Sequence, residues 1–285
     1  MQGTPALPPS FRRLLRALCG VLAAFYSCFS AAGEITIAVA SNFAAPMRDI
    51  AAAFERVSGE HRLRLAFGSS GKLYAQVYHG APFDAFFSAD QDKVNRLIAR
   101  DLAVSNSRLT YALGQLALWS ADSALIDEGP AVLAGDRFRK LAIANPKLAP
   151  YGVAAMETLT ALEFEQTTRG RRVLGENIAQ AFQFVASGNA QLGLIALSQV
   201  YRDGKITGGS SWLVPQALYR PIRQDAVILR NISAGPPERV AATKAFWAFL
   251  RSPKARSIIE SYGYLTNAAN PEPPTTSTKE VRDAK

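Results

Sequence analysis

Residues 35–47 read ITIAVA, then Ser41-Asn42-Phe43, then AAPM, and this order restricts the chain more than any other stretch. An apolar run of strand length stops at small polar residues, and a helix opens directly behind them. Pro46 suits a first helical turn, where a missing N–H costs nothing. Met47, Ile50, Ala51 and Phe54 then fall on one helical face. A strand ending against a helix start leaves backbone N–H groups without partners and the positive end of the helix dipole facing outward. With hydroxyl and amide donors beside it, such a junction can hold an anion. Ser and Asn are also ordinary N-caps, so one junction alone does not decide between the two roles.

The pattern recurs. Residues 61–67 alternate polar and apolar and run into Gly68-Ser69-Ser70-Gly71, with Leu73 and Val77 on the helix behind. Residues 141–144 form a short apolar strand leading through Asn145-Pro146 to a helix that begins near Tyr151 or Gly152. Glu176-Asn177 opens a fourth helix, carrying Ile178, Ala181, Phe182 and Val185. Further strands are expected at 82–90, 113–120, 192–197 and 226–229. A helix carrying Val94 and Leu97 follows Asp90, its expected cap, and others follow Pro236-Pro237 and Pro253. Residues 203–224 read as loops with one short strand near Trp212. Strands alternating with helices specify an α/β fold with mainly parallel sheets. Ligands of open parallel sheets sit beyond the carboxyl ends of the strands, where all four junctions lie.

Residues 1–32 read as a secretory leader: Arg12, Arg13 and Arg16, an apolar run from 17 to 29, then Ser30-Ala31-Ala32 before a mature start at Gly33. Both cysteines, Cys19 and Cys28, fall inside it, so the mature chain has no disulfide framework or thiolate metal site. The formal charge of +9 falls to about +6 without the leader, and the remaining cations are scattered, which argues against nucleic acid. From 268 to 285 the chain is rich in Pro, Thr and charge and reads as a disordered tail.

Catalytic motifs fail on inspection. Ser69-Ser70-Gly71-Lys72 matches S-x-x-K, but the companion S-D-N and K-T-G motifs of that serine chemistry are absent. The same stretch lacks the first glycine and the Ser/Thr of a phosphate loop. His61 and His79 have no partner ligands nearby and are expected at the surface. Asp84, Asp90 and Asp92 read as capping or surface carboxylates, and Lys72 as a solvated helix residue. What remains is a set of neutral donors. These satisfy a fully deprotonated oxyanion and leave a protonated one without an acceptor for its hydrogen.

ITIAVASNFAAPMRD at 35–49, FGSSGKLYAQ at 67–76, APFDAFFSAD at 81–90, Ala144-Asn145-Pro146, LGLIA at 192–196 and Tyr262-Gly263-Tyr264 together resemble the ModA-type periplasmic molybdate-binding proteins of ABC transporters. The resemblance spans nearly all of residues 34–267. It implies a type II periplasmic binding protein fold, in which each lobe is a mainly parallel sheet flanked by helices and the ligand lies in the cleft. Lobe 1 would comprise 33–112 and 227–267, and lobe 2 would comprise 113–226, with crossings near 112–114 and 224–227. It implies hydroxyl donors at Ser41 and Ser70 and backbone donors at Tyr151 and Ile178. Many members carry a ligand tyrosine where this chain has Ala196, so the sequence resembles the branch in which the residue after the first serine, Asn42, supplies that donor.

The implied role is a non-enzymatic, monomeric periplasmic protein without cofactor. It would capture molybdate, or tungstate of nearly equal shape, and dock transiently on a membrane permease. Three other readings remain: a sulfate or phosphate binder, a secreted serine hydrolase using Ser70 and Lys72, and an anion sensor.

Overall fold

The computed structural model describes residues 33–127 and 129–266. The expected leader and C-terminal tail lie outside the described residues.

In chain order the strands are β1 (Glu34–Ala40), β2 (Arg62–Gly68), β3 (Ala85–Phe87), β4 (Leu109–Gly114), β5 (Leu116–Ser120), β6 (Leu141–Ala144), β7 (Arg172–Gly175), β8 (Leu192–Ala196), β9 (Tyr201–Arg202), β10 (Lys205–Ile206), β11 (Ser210–Leu213) and β12 (Ile222–Ile228). The helices are α1 (Ala44–Ser58), α2 (Ser70–Tyr78), α3 (Asp92–Ala99), α4 (Pro150–Ala161), α5 (Glu165–Thr168), α6 (Ile178–Ala186), α7 (Pro237–Leu250) and α8 (Pro253–Ser261).

They build two sheets. The first has the order β2-β1-β3-β12-β4, with β2-β1-β3 parallel and β12 antiparallel to both neighbours. The second has the order β11-β5-β8-β6-β7, parallel from β8 to β7. Strand β1 is buried on both faces, which explains its unbroken apolar run. Ile35, Ile37 and Val39 pack with Met47, Phe54 and Phe246 of α1 and α7. Ala38 points the other way, into a cluster with Leu73, Val94 and Leu97 of α2 and α3. The second sheet has its own core around Leu116, Ile143, Leu159, Val185 and Leu194.

The chain passes between the sheets where the sequence shows no break. The run 113–120, expected as one strand, is two: β4 ends in the first sheet at Gly114, and β5 begins in the second at Leu116. Gln115 between them is tied by its side chain to the Gly263 carbonyl at 2.7 Å and accepts a bond on its own carbonyl from Leu197 N–H. Apolar patterning continues across Gln115 because both halves are buried, so it cannot register the change of partner. The return strand β12 starts at Ile222, earlier than expected, and pairs along β4 with a bulge between Gln224 and Asp225. The boundaries drawn from sequence, 112/113 and 226/227, therefore fall within paired strands of the first sheet.

Other local differences have simple causes. Strand β7 was not anticipated; it is four residues long at a sheet edge, with Leu174 exposed, and carries no alternation to read. His61 is buried rather than superficial, stacked on Phe54 and accepting the Gly33 N–H on Nδ1. Asp84 is also buried, with Arg239 on one oxygen and the Thr36 N–H on the other.

Candidate functional site

The two sheets deliver their helix starts in matching pairs. In the first, β1 and β2 are parallel neighbours whose last residues, Ala40 and Gly68, stand opposite each other. Ser41 follows Ala40 directly, and Ser70 follows Gly68 by two residues. In the second, β6 and β7 end level at Ala144 and Gly175 and lead into α4 and α6. Both pairs therefore present helix N-termini at the carboxyl edge of a parallel sheet, where dipoles and free N–H groups add.

Capping is incomplete at these starts. Ser69 accepts from Lys72 N–H at 3.4 Å, and Asn177 accepts from Gln180 N–H at 3.0 Å. No side chain caps the 3-10 turn Ser41–Phe43, helix α1 or helix α4. Ser41, which could have been an N-cap, is not one: its Oγ is buried with no hydrogen-bond partner among the described residues. Ser70 accepts the Ala89 N–H at 3.0 Å, and its own proton is committed to no partner among the described residues. Two buried hydroxyls thus retain donors beside uncapped helix starts.

The lobes meet around these groups. Gly71 N–H of α2 donates to the Leu148 carbonyl just before α4, at 2.9 Å. A Cβ at Gly71 would press on that carbonyl, so glycine permits the approach. Lys72 is not simply solvated, because its Nζ crosses to Glu176 at 2.8 Å. A groove of about 410 Å³ beside Ser41 is lined by Asn42 and Arg48 from one lobe and by Ala179, Ser198 and Arg202 from the other. Gln199 Nε2 donates to the Ile178 carbonyl at 3.1 Å and anchors the start of α6.

Asn42, the donor that the resemblance implies, has its side chain committed within the protein. Its Nδ2 donates to Gln224 Oε1 at 2.7 Å and to Tyr264 Oη at 2.9 Å, which uses both side-chain protons. Only its backbone N–H, in the first turn, is left for an anion. Tyr151 and Ile178 are buried in the first turns of α4 and α6, so their side chains serve the core and their amides stand at the helix starts. Tyr151 Oη accepts from Gln224 Nε2 at 3.3 Å, and Tyr111 Oη donates to Gln224 Oε1 at 3.0 Å. A Cβ at Gly114 would overlap the Tyr151 hydroxyl, so glycine at the crossing makes room for it. Sequence reading missed Gln224, Tyr111 and Ser198. Gln224 lies in a stretch that looked like loop, and its buried position is set by the bulge in β12.

Burial raises Tyr111 and Tyr151 well above the ordinary phenol range, and Tyr264 to about 12. All three stay protonated at neutral pH and keep their donors. Two carboxylates beside the site are engaged elsewhere: Asp90, next to the Ala89 that bonds Ser70, with Lys93, and Glu176, two residues before Ile178, with Lys72. No group of His, Cys, Asp and Glu among the described residues could hold a bare metal ion. The lysine that a Ser70 hydrolase would need as its base is the one paired with Glu176. The arrangement is suited to enclosing a small oxyanion with neutral donors.

The bacterial extracellular solute-binding protein family matches residues 35–265. The molybdate-binding protein ModA of Azotobacter vinelandii is 48% identical over 256 residues, covering 90% of this chain and 98% of the relative. ModA of Rhodobacter capsulatus is 47% identical over 237 residues, covering 83% and 90%. Among solved structures, the Azotobacter vinelandii periplasmic molybdate-binding protein superposes with a TM-score of 0.76 at 39% identity, covering 81% of this chain and 99% of that one.

Proposed function

The chain belongs to the bacterial extracellular solute-binding protein family, and from that premise we propose that it captures molybdate outside the cytoplasm and delivers it to an ABC transporter permease. The observation that carries this reading is the Ser41 hydroxyl, buried without a partner among the described residues at the end of β1 where the helix starts gather. A buried donor left unsatisfied costs about 1–3 kcal/mol, a cost removed when an anion accepts from it.

In this reading Ser41 and Ser70 give hydroxyl protons, and Asn42, Tyr151 and Ile178 give backbone N–H groups. Donors from both lobes converge on one ion, so binding favours the closed form, with β4 and β12 as the flexible crossings. Tungstate, of equal charge and nearly equal shape, is taken as well. No cofactor and no bond-making step are involved, and the protein acts as a monomer. Residues 1–32 are removed on export to the periplasm.

Titration calorimetry on the chain from Gly33, stripped of ligand, tests this with molybdate, tungstate, sulfate and phosphate in turn. Tight one-to-one binding of the first two, with the others far weaker, is the expected result. A folded protein that binds neither group-six oxyanion would overturn the assignment.

A further inference from the structure

We propose that Ser198 is a positioning residue for anion capture: from lobe 2 it holds the backbone carbonyl of Asn42 in lobe 1, and so registers the closed lobes onto the first helix start. The inference rests on the molybdate-binding reading above.

Ser198 lies in the 3-10 turn Leu197–Gln199 behind β8, two residues after Ala196. Its Oγ donates to the Asn42 carbonyl at 3.0 Å. Tyr264 Oη stands 3.0 Å from Ser198 Oγ and 2.9 Å from the same carbonyl. Asn42 Nδ2 closes the circuit onto Tyr264 at 2.9 Å. Counting protons gives an arrangement that satisfies every group. Tyr264 and Ser198 have one hydroxyl proton each. If Asn42 donates to Tyr264, Tyr264 to Ser198, and Ser198 to the Asn42 carbonyl, every donor is used once and the ring is complete. All three residues are buried, so water cannot substitute for a missing member.

Asn42 needs this help because of its own sequence. An α-helical bond to its carbonyl would come from the residue four positions on, which is Pro46 and has no N–H. Two side chains from elsewhere in the fold reach it instead, Tyr264 of lobe 1 and Ser198 of lobe 2. When the lobes part, Tyr264 can turn its proton onto the Asn42 carbonyl within lobe 1, so the ligand-free protein loses little. When they meet, Ser198 inserts between the two and ties the peptide next to Ser41 to the turn that also holds α6 through Gln199. The side chain that closes the cage on the Ala196 side is therefore a serine that bonds to protein.

The test compares molybdate affinity and dissociation rate with ligand-free melting temperature in three variants. Ser198→Ala should weaken binding about fivefold, mostly through faster dissociation, and leave the ligand-free melting temperature nearly unchanged. Ser198→Thr keeps the hydroxyl and should restore affinity. Trp247→Phe removes the indole N–H bond to the Ser107 carbonyl, made wholly within lobe 1 and away from the helix starts, and should lower the melting temperature while leaving affinity intact. Should Ser198→Ala not fold, Ser198→Cys, a weaker donor of similar shape, replaces it and must show a loss in the same direction. Wild-type binding with Ser198→Ala within twofold, or with Trp247→Phe losing as much affinity, overturns the positioning role. Failure of the wild type to bind any group-six oxyanion overturns the reading beneath it as well.

Discussion

Ser41→Ala should move stability and binding in opposite directions. The residue is 7% exposed with the lobes together, and its Oγ has no partner among the described residues, so whenever the lobes close without an anion the fold carries a desolvated hydroxyl with nothing in return. Burying such a group costs about 1–3 kcal/mol by mutational scales. Alanine removes the oxygen and leaves a space too small for a substantial cavity penalty. With about 2–4 °C per kcal/mol for a domain of this size, the ligand-free melting temperature should rise by about 2–12 °C. In the proposed complex the same hydroxyl donates to a dianion, a bond worth about 1.5–3 kcal/mol, so molybdate affinity should fall roughly ten- to a hundredfold. Differential scanning calorimetry of stripped protein and a competitive titration read the two effects separately. A melting temperature that falls would mean the hydroxyl stabilises the ligand-free fold. An unchanged affinity would mean Ser41 does not face the anion. Either result refutes the argument.

Ser70→Ala should behave differently, lowering both affinity and melting temperature, because the buried Ala89 N–H loses its acceptor; the same two instruments distinguish the serines. Lys72→Ala removes an exposed pair across the lobes, with side chains 54% and 45% exposed, so affinity should change by less than about fivefold and depend less on ionic strength, as titrations at two salt concentrations would show. Asp49 of α1 faces Arg202 of β9: burial alone would raise its pKa, but bonds from Arg202 and Tyr262 and the Arg202 charge together lower it. A lowered folded-state value contributes stability above the unfolded pKa of about 3.9 that is lost as pH falls through the folded value. Melting temperatures from pH 6 downward should therefore show a loss below about pH 4, and Asp49→Asn should flatten it.

The parts of this fold that were legible in sequence are the parts written in adjacent residues. A run such as ITIAVA followed by Ser41-Asn42 and an apolar helical face encodes strand, junction and helix within 20 residues. Four such junctions suffice to predict donors at the carboxyl edges of two sheets. What stayed hidden depends on partners distant in sequence. Gln115 divides a continuous apolar run only because Gly263 and Leu197 hold it between two sheets. Asn42 looked free to bind an anion because Gln224 and Tyr264, roughly two hundred residues away, leave no mark near it. Asp84 and His61 looked superficial for the same reason, since Arg239 and Gly33 complete their environments.

A cage built of hydroxyl and backbone donors also sets an order among the smaller oxyanions. Sulfate carries no proton at neutral pH and can accept from every donor, although its shorter bonds leave contacts long in a cage sized for molybdate. Monohydrogen phosphate must place its proton on an acceptor. Ser70 Oγ already accepts from Ala89, and Ser41 could accept only by turning its single proton away from the anion. Asp90 and Glu176 are held by lysines. Phosphate therefore loses a donor or buries an unsatisfied hydrogen, at about 1–3 kcal/mol, and should bind roughly tenfold or more below sulfate at pH 7. Competition against bound molybdate measures both in one series. Phosphate equal to or better than sulfate would mean that an acceptor reaches the anion, and the donor-only description of the site would have to be abandoned.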